Sequence, residues 1–254
     1  MAFNVMGSEG VSPVALTSII ARLATVLESQ KESMFLLHSR YFCNVHRDAF
    51  FNDMNQKDWV IILRERREIV GFSTLQILRC AVDDAERVFL FSGDTIVDRE
   101  HWQDSTLAGS FGHLILRAMA EYDHSSLYWF LISKGYRTYR FLPVYFNSFY
   151  PAYNRTTPPK YTRLIQAVAI LKFGEAYDAR TGLVRLAGQK DRLTPEMCEV
   201  SEARRKDPHV RFFLEKNPAY CLGDELACIA DVARENLNRC AWRAIKNTVV
   251  DWNE

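Results

Sequence analysis

Residues able to do chemistry gather in one stretch of the chain, between Arg87 and Pro151. A strand pattern over residues 88–91 runs into a polar turn, Ser92, Gly93 and Asp94, and a second short extended run over 95–97, so a carboxylate stands just past the strand. An aspartate there is either an Asx-turn residue or a group that takes a proton. His101 follows on a loop, where an imidazole is either a base or a solvated surface group. Leu107, Ala108, Gly109, Ser110, Phe111 and Gly112 then approach an apolar helix expected over 113–122, with His113 at its start. Small residues before a helix let backbone N–H groups face an anion, and the free amides of a first turn attract one. Gly109, Ser110, Gly112 and His113 are therefore candidates to hold an anionic group such as a pyrophosphate. Beyond the next strand pattern stand Lys134, Arg137 and Arg140, a clamp for phosphate or carboxylate or else a solvated basic loop. Tyr136, Tyr139, Tyr145 and Tyr150 share that segment; with a pKa of about 10 a phenol can donate a proton at neutral pH, or bury its ring in the core. The whole aromatic run from Tyr136 to Tyr153 would suit either a channel for a long acyl chain or ordinary packing under a loop.

The elements that must hold these groups follow from hydrophobic period and punctuation. Ser12 and Pro13 open a helical pattern through Leu16, Ile19, Ile20, Leu23, Val26 and Leu27, and a second runs through Met34, Leu37, Tyr41 and Phe42. Two helices are thus expected before the first strand. Residues 59–63 form an apolar run, 64–68 a charged turn and 69–78 the returning strand, with Gly71 as a bulge or close approach. A turn at 83–86 brings 88–91 back as a third antiparallel strand, and 127–132 is apolar at every position, as in a strand buried on both faces. Pro143 starts a short helix over 144–150 that Pro151 stops, residues 152–159 make a surface loop, and 160–173 a helix. Another helix opens at Thr194 and Pro195, residues 210–214 and 225–232 are the last two strands, and 234–246 is a closing amphipathic helix. This order predicts an α+β fold, a mixed, mostly antiparallel sheet flanked by helices. One domain is expected over 12–254, with a helical insertion at about 152–209 before the last two strands and a disordered stretch 1–11.

Composition narrows the partners. The 32 basic and 31 acidic residues nearly cancel, which disfavours nucleic acid and anionic membrane as primary ligands. No apolar window of about 18 residues and no basic, then apolar, N-terminus is present, so neither a membrane span nor a secretory signal is expected, and the expected address is cytoplasmic. Six cysteines without a CxxC pair read as reduced thiols. Cys221, Cys228 and His209 lack a spaced fourth ligand, and Cys228 sits in an apolar run, so a buried thiol and no metal are expected. Arg204, Arg205 and Lys206 lie in the polar segment 174–209, which is a lid, a docking face for an acidic carrier protein or a solvated helix.

Two leading helices, the hairpin 59–75, the strand 88–91, the glycine-containing loop into a helix carrying Leu114, Ile115 and Leu116, and the strand 127–132 followed by an aromatic-rich short helix together resemble the GNAT acyltransferase superfamily. The resemblance covers roughly residues 14–151 as topology, with the two late strands completing the sheet. It implies transfer of an acyl group from a thioester to an amine or hydroxyl of a small molecule, by direct attack. In that family a motif Arg/Gln-x-x-Gly-x-Gly/Ala holds the pyrophosphate of an acyl-CoA. Residues 103–112 align with it but depart from it, one register setting Thr106, Gly109 and Phe111 at the motif positions and the other Leu107, Ser110 and Gly112. The resemblance implies acyl-CoA, or an acyl-carrier-protein thioester, as co-substrate. It implies Asp94 or His101 as base, Tyr145 as acid, Gly109, Ser110, Gly112 and His113 at the cofactor, and Arg137, Arg140 and Tyr139 at the substrate. The alternative is a GNAT-like fold that has lost its coenzyme loop and binds a different small molecule or serves as an interaction module.

Overall fold

The computed structural model describes residues 15–123, 126–185 and 191–253; the expected disordered stretch 1–11 lies outside them. The described residues begin with β1 (Thr17–Arg22), α1 (Glu28–Tyr41), the short β2 (Phe42–Cys43) and α2 (Arg47–Met54). A long meander follows as β3 (Trp59–Glu65), β4 (Glu68–Val82) and β5 (Ala85–Val97). Next come α3 (Thr106–Glu121), β6 (Leu127–Ser133), α4 (Tyr136–Tyr139), α5 (Phe141–Tyr145) and α6 (Pro159–Phe173). Short elements connect to the end of the chain: β7 (Tyr177–Asp178), β8 (Leu183–Val184), β9 (Arg192–Leu193), α7 (Pro195–Cys198), α8 (Glu202–Arg205) and α9 (Pro208–Lys216). The chain closes with β10 (Glu225–Asp231), α10 (Arg239–Asn247) and β11 (Val250–Asn253).

Among the described residues nine strands make one sheet in the order β11-β1-β3-β4-β5-β6-β10-β8-β7, while β2 pairs with β9 apart from it. Two of its pairings are parallel, β1 with β11 and β5 with β6, and the others are antiparallel. The fold is therefore α+β with a mostly antiparallel sheet, as the element order predicts. Asp83 and Asp84, both at positive φ, form the two-residue turn between the paired Val82 and Ala85, a turn whose twist matches that of the strands.

Alternation along the strands divides the core. Val88, Leu90, Trp129 and Leu131 pack on the side covered by Leu107, Phe111 and Ile115 of α3 and Ile245 of α10. Phe89, Phe91, Tyr128 and Phe130 point the other way, onto Leu164, Ile165 and Val168 of α6. Next to that layer, Met34 and Leu37 of α1 and Phe50 and Met54 of α2 cover Ile62, Phe72 and Ile96. Each such fully buried apolar side chain contributes about 2 kcal/mol. Helix α3 meets α10 and its C-terminal Thr248 through glycine, because a Cβ on Gly109 would meet Thr248 and one on Gly112 would meet Ile245.

Several expectations are corrected by tertiary context. The pattern read as a first helix is β1, because Ile19 and Ile20 sit in a ladder with β3 on one side and β11 on the other, and two rows of backbone hydrogen bonds outweigh a weak helical period. Residues 210–214 are helix rather than strand. Asp207 caps α9 by accepting the His209 N–H at 2.9 Å, Pro208 sits in its first turn, and Val210 and Phe213 bury one face at helical spacing. The glycines expected ahead of a helix lie inside one, since α3 starts at Thr106. The helix expected over 144–150 lies earlier, as α4 and α5, and the closing helix begins at Arg239 and is followed by the edge strand β11. The insertion before β10 is a mixture of short strands and helices around α6 rather than purely helical. All six cysteines are free, with Cys228 fully buried.

Candidate active site

One bulge creates the site. Leu75 pairs with Ser92 and Ser73 with Thr95, so Gly93 and Asp94 together oppose the single residue Thr74. The extra residue bends β5 away from its parallel neighbour. The β5–β6 ladder runs from Val88–Leu127 to Ser92–Leu131 and stops there, while β5 continues to Val97. Its last rung is secured by Trp129, whose Nε1 donates to Ser92 Oγ at 2.6 Å, and the far side of the bulge by the Ser73–Thr95 hydroxyl pair at 2.8 Å. Only glycine fits at 93, because a Cβ would lie 2.6 Å from both Lys57 Cε and Thr74 Oγ1.

The splayed strands open onto two cavities. On the α3 side a small one of about 30 Å³ is lined by Ser92, Leu107, Phe111, Trp129, Leu131 and Phe141. Under α1, α2 and α6 lies a larger one of about 370 Å³, lined by His38, Asp53, Asp94, Lys134, Asp191 and Glu225 among others. Gly93, Thr95, Ile132 and Thr138 line both. The gap between β5 and β6 thus passes through the sheet.

Around the larger cavity runs a chain of charged groups drawn from α1, α2, β5, α6 and β10 and from three residues between elements, Lys57, Lys134 and Asp191. Lys134, at the end of β6, donates its Nζ to Asp191 Oδ2 and to the Asp191 carbonyl, both at 2.9 Å, and lies 3.7 Å from Glu225 of β10. His38 projects from α1 with Nε2 3.4 Å from Asp191 and 3.7 Å from Asp94, and its ring stacks flat on Phe42 with 4.3 Å between centroids. On the far side Lys57 donates to Asp53 of α2, and Lys172 of α6 lies 3.8 Å from the same carboxylate. Burial raises the Asp94 pKa, the nearby His38 opposes that rise, and the negative charges of Asp53 and Asp191 add to it. Burial also works to raise Asp191, but the close approach of His38 and the charge and hydrogen bond of Lys134 outweigh it and hold that carboxyl well below the usual range. Two carboxylates on one imidazole are thereby pushed apart in affinity for a proton, Asp94 as the acceptor and Asp191 as the fixed anion.

Of the residues singled out in the sequence, Asp94 lines the larger cavity and Lys134 stands beside it. His101 ends a short turn, Arg99–His101, and lines neither cavity. Tyr145 lies near the end of α5, against Phe141 with 5.7 Å between rings, its pKa raised chiefly by burial; it too lines neither cavity, and Thr138 and Phe141 are the residues of that segment that do. Gly109 and Gly112 are taken up by packing on α10, Ser110 shares a 2.6 Å hydrogen bond with Ser18, and His113 Nε2 stands 3.1 and 3.0 Å from the Ile245 and Thr248 carbonyls. At the N-terminus of α3 the Thr106 N–H donates to Asp104 Oδ1 at 2.6 Å, so the protein's own carboxylate occupies that amide. Arg140 pairs with Asp207 at 3.1 Å. Tyr139 is fully buried and donates to the Pro151 carbonyl at 2.9 Å, and Tyr136, Phe146, Phe149 and Tyr150 are buried with it, so most of the aromatic run is core rather than channel lining, with Tyr153 exposed. His38, Asp191 and Glu225 escaped sequence reading. His38 sits in the buried stripe Met34, Leu37, His38 and Tyr41, where a lone histidine among apolar positions was the available signal. Nothing local marks Asp191 or Glu225. Among the described residues no group of three or more side chains could hold a metal ion, and no helix is long and apolar enough to cross a membrane.

No family model and no curated protein matches the chain. Solved structures similar to part of it include a probable N-acyltransferase from Enterococcus faecalis (TM-score 0.41, 10% identity, 52% of this chain and 33% of that one). A GCN5-related N-acetyltransferase from Kribbella flavida has a TM-score of 0.40 at 12% identity over 53% of this chain and 34% of its own. An acetyltransferase from Trypanosoma brucei has a TM-score of 0.37 at 16% identity, over 57% of this chain and 98% of its own. The chain spans about a third of the length of the first two.

Proposed function

We propose that this chain, GNAT-like in its strand order and in its splayed parallel pair, is an acyltransferase that moves an acyl group directly from a thioester to an amine. The observation that carries this reading is the pair of cavities on opposite faces of the sheet that meet at Gly93, Thr95, Ile132 and Thr138. A thioester entering from the α3 side would bring its carbonyl into the gap between β5 and β6. A nucleophile in the larger cavity would meet it there. The small volume on the α3 side suits the tip of a thioester with a short acyl group.

In this reading Asp94 takes the proton of the attacking ammonium, its raised affinity bringing it closer to the work of a base near neutral pH. The amine nitrogen bonds to the carbonyl carbon, the β5 backbone beyond Ser92, free of the β6 ladder, offers N–H groups toward the oxyanion, and as the oxyanion collapses the C–S bond breaks and the departing thiolate takes the second proton that the newly bonded nitrogen sheds, leaving an amide and a free thiol. His38 stands between the two carboxylates and favours the charged Asp94, while the Asp191 anion raises its affinity for the proton. No cysteine lines either cavity among the described residues, which favours direct transfer over an acyl-enzyme. His101 and Tyr145 have no part in it. Coenzyme A and a carrier protein's arm are both candidate bearers of the thioester.

The test is thiol release from acetyl-CoA with a panel of primary amines. Wild type should release thiol in an amine-dependent manner, and Asp94→Asn should lose about 10² to 10⁴ of the rate while melting as a folded protein. Failure of every acyl-CoA either to raise the melting temperature or to release thiol would sink the reading. A second reading, a GNAT-like fold serving a different small molecule, draws on the occupied α3 amide and the narrow α3-side cavity.

A further inference from the structure

The two elements that leave the splayed strands meet again beyond them. The chain leaves β5 through the Arg99–His101 turn to Trp102, and leaves β6 into α4. There the Arg137 guanidinium lies over the Trp102 indole at 4.2 Å, and Arg99 lies over the same ring at 5.4 Å. Trp102 is itself anchored, its Nε1 donating to the Val97 carbonyl at 2.9 Å. Arg137 is half-buried, rests also on the Tyr136 ring at 4.8 Å, and donates Nη1 to the Met197 carbonyl at 3.2 Å. Among the described residues no carboxylate forms an ion pair with Arg99, Arg137 or Arg204. Glu196 is close enough to feel Arg99, but its carboxylate is already bonded within its own helix start, at Thr194 and its own amide.

A guanidinium withdrawn from water beside like charges costs free energy unless an anion joins it. Burial, followed by the charges of Arg99 and Arg204, destabilises the Arg137 cation, while Tyr136 and Tyr220 only partly oppose them. At the same time the ordinary place for a phosphate, the start of α3, carries the Asp104 carboxylate, and its two glycines serve helix packing. Stacking on an indole fixes a guanidinium plane while leaving its edge donors available.

We propose that Arg99 and Arg137, which share the Trp102 indole beyond the ends of β5 and β6, form a phosphate-binding site together with Arg204, whose charge reaches Arg137. It rests on the reading of the wedge as a thioester site and supplies side-chain anion contacts in place of the Thr106 amide that Asp104 takes up. The phosphate would come either from coenzyme A or from the phosphopantetheine arm of a carrier protein, and one titration series separates the two.

Calorimetric titration of the full-length protein at low salt would use coenzyme A, 4′-phosphopantetheine, pantetheine and inorganic pyrophosphate as probes. Wild type should bind the phosphate-bearing probes and bind pantetheine far more weakly. Arg137→Gln should weaken coenzyme A on the order of ten- to a hundredfold, the weight of one charge-assisted hydrogen bond, and Arg137→Lys should recover only part of it. The exposed Arg99→Gln and Arg204→Gln variants each carry the same expectation at smaller size and guard against misfolding of the Arg137 variants. Tighter binding of 4′-phosphopantetheine than of coenzyme A would assign the site to a carrier's arm; the reverse would assign it to the free coenzyme. Coenzyme A bound equally by wild type and all these variants would overturn the phosphate site and leave the acyltransferase reading standing. Pyrophosphate bound through Arg137 by a protein that ignores every thioester and pantetheine compound would keep the site and remove the acyltransferase. No binding of any phosphate probe would overturn the site outright.

Discussion

At the scale of single residues, the two carboxylates that flank His38 make opposite demands on pH. Asp94 is held above its ordinary 3.8, so its folded form prefers the proton. Its contribution to stability is therefore complete below pH 3.8 and is lost as pH rises through the raised value, which makes the charged form a liability at neutral pH. Asp94→Asn should accordingly melt higher than wild type at pH 7 and lose this advantage in acid, even as it slows the proposed transfer. Because a base acts deprotonated, the acid limb of the wild-type rate profile should lie above pH 3.8. Asp191 is the reverse case. Its depressed value means that its contribution is present above pH 3.8 and drains away as pH falls below that. Asp191→Asn, which leaves Lys134 with the more distant Glu225, should cost ~3 kcal/mol at pH 7 in a urea titration, and the gap from wild type should narrow steadily below pH 3.8. A constant gap across that range would mean that packing, not charge, holds Asp191 in place.

At the scale of elements, the contact of α3 with α10 is where glycine was misread. Gly109 and Gly112 resemble a loop that cradles phosphate, yet their value lies in the missing Cβ, which lets Ile245 and Thr248 sit against the helix backbone. Gly112→Ala should therefore destabilise the fold by about 1–3 kcal/mol through overpacking, measurable as a lowered urea midpoint, while leaving coenzyme A affinity per folded molecule unchanged. A loss of affinity without a loss of stability would restore the glycines to the ligand. The β5 bulge carries the complementary lesson. Ser92, Gly93 and Asp94 read as a turn between the strand 88–91 and a second extended run over 95–97, but the two runs are one strand because the Ser73–Thr95 pair resumes the ladder beyond the extra residue. What looked like a turn is a bend that aims a carboxylate into a cavity.

For the whole molecule, the consequence of a gap through the sheet is kinetic. If donor and acceptor approach from opposite faces and meet only at Gly93, Thr95, Ile132 and Thr138, both must be bound before chemistry starts. Initial-rate plots against either substrate should intersect, as in a ternary-complex mechanism. Parallel lines, the mark of a covalent intermediate released in two steps, would contradict the geometry. The sheet's edge also bears on stability. β11 pairs alongside β1, and Trp252 meets Trp59 edge-on at 6.0 Å with Arg117 over both rings, so this last strand shields an otherwise open edge.

Hydrophobic period and turn chemistry alone were enough for the meander β3–β5, the fully apolar β6, the helix α6 and the α+β class, because each depends on contacts between residues near one another or on uniform burial. The same reading found Asp94, which stands at the end of a strand pattern. It could not find His38, Asp191 or Glu225 as its companions, since these come from α1, from the residue before β9 and from β10, and no local signal records that folding brings them within 4 Å of one another or of Lys134. Nor could it tell β1 from a helix or α9 from a strand. Those choices are made by partners far along the chain: the ladders that β3 and β11 offer to residues 17–22, and the buried face that Val210 and Phe213 find only once the rest of the core is in place.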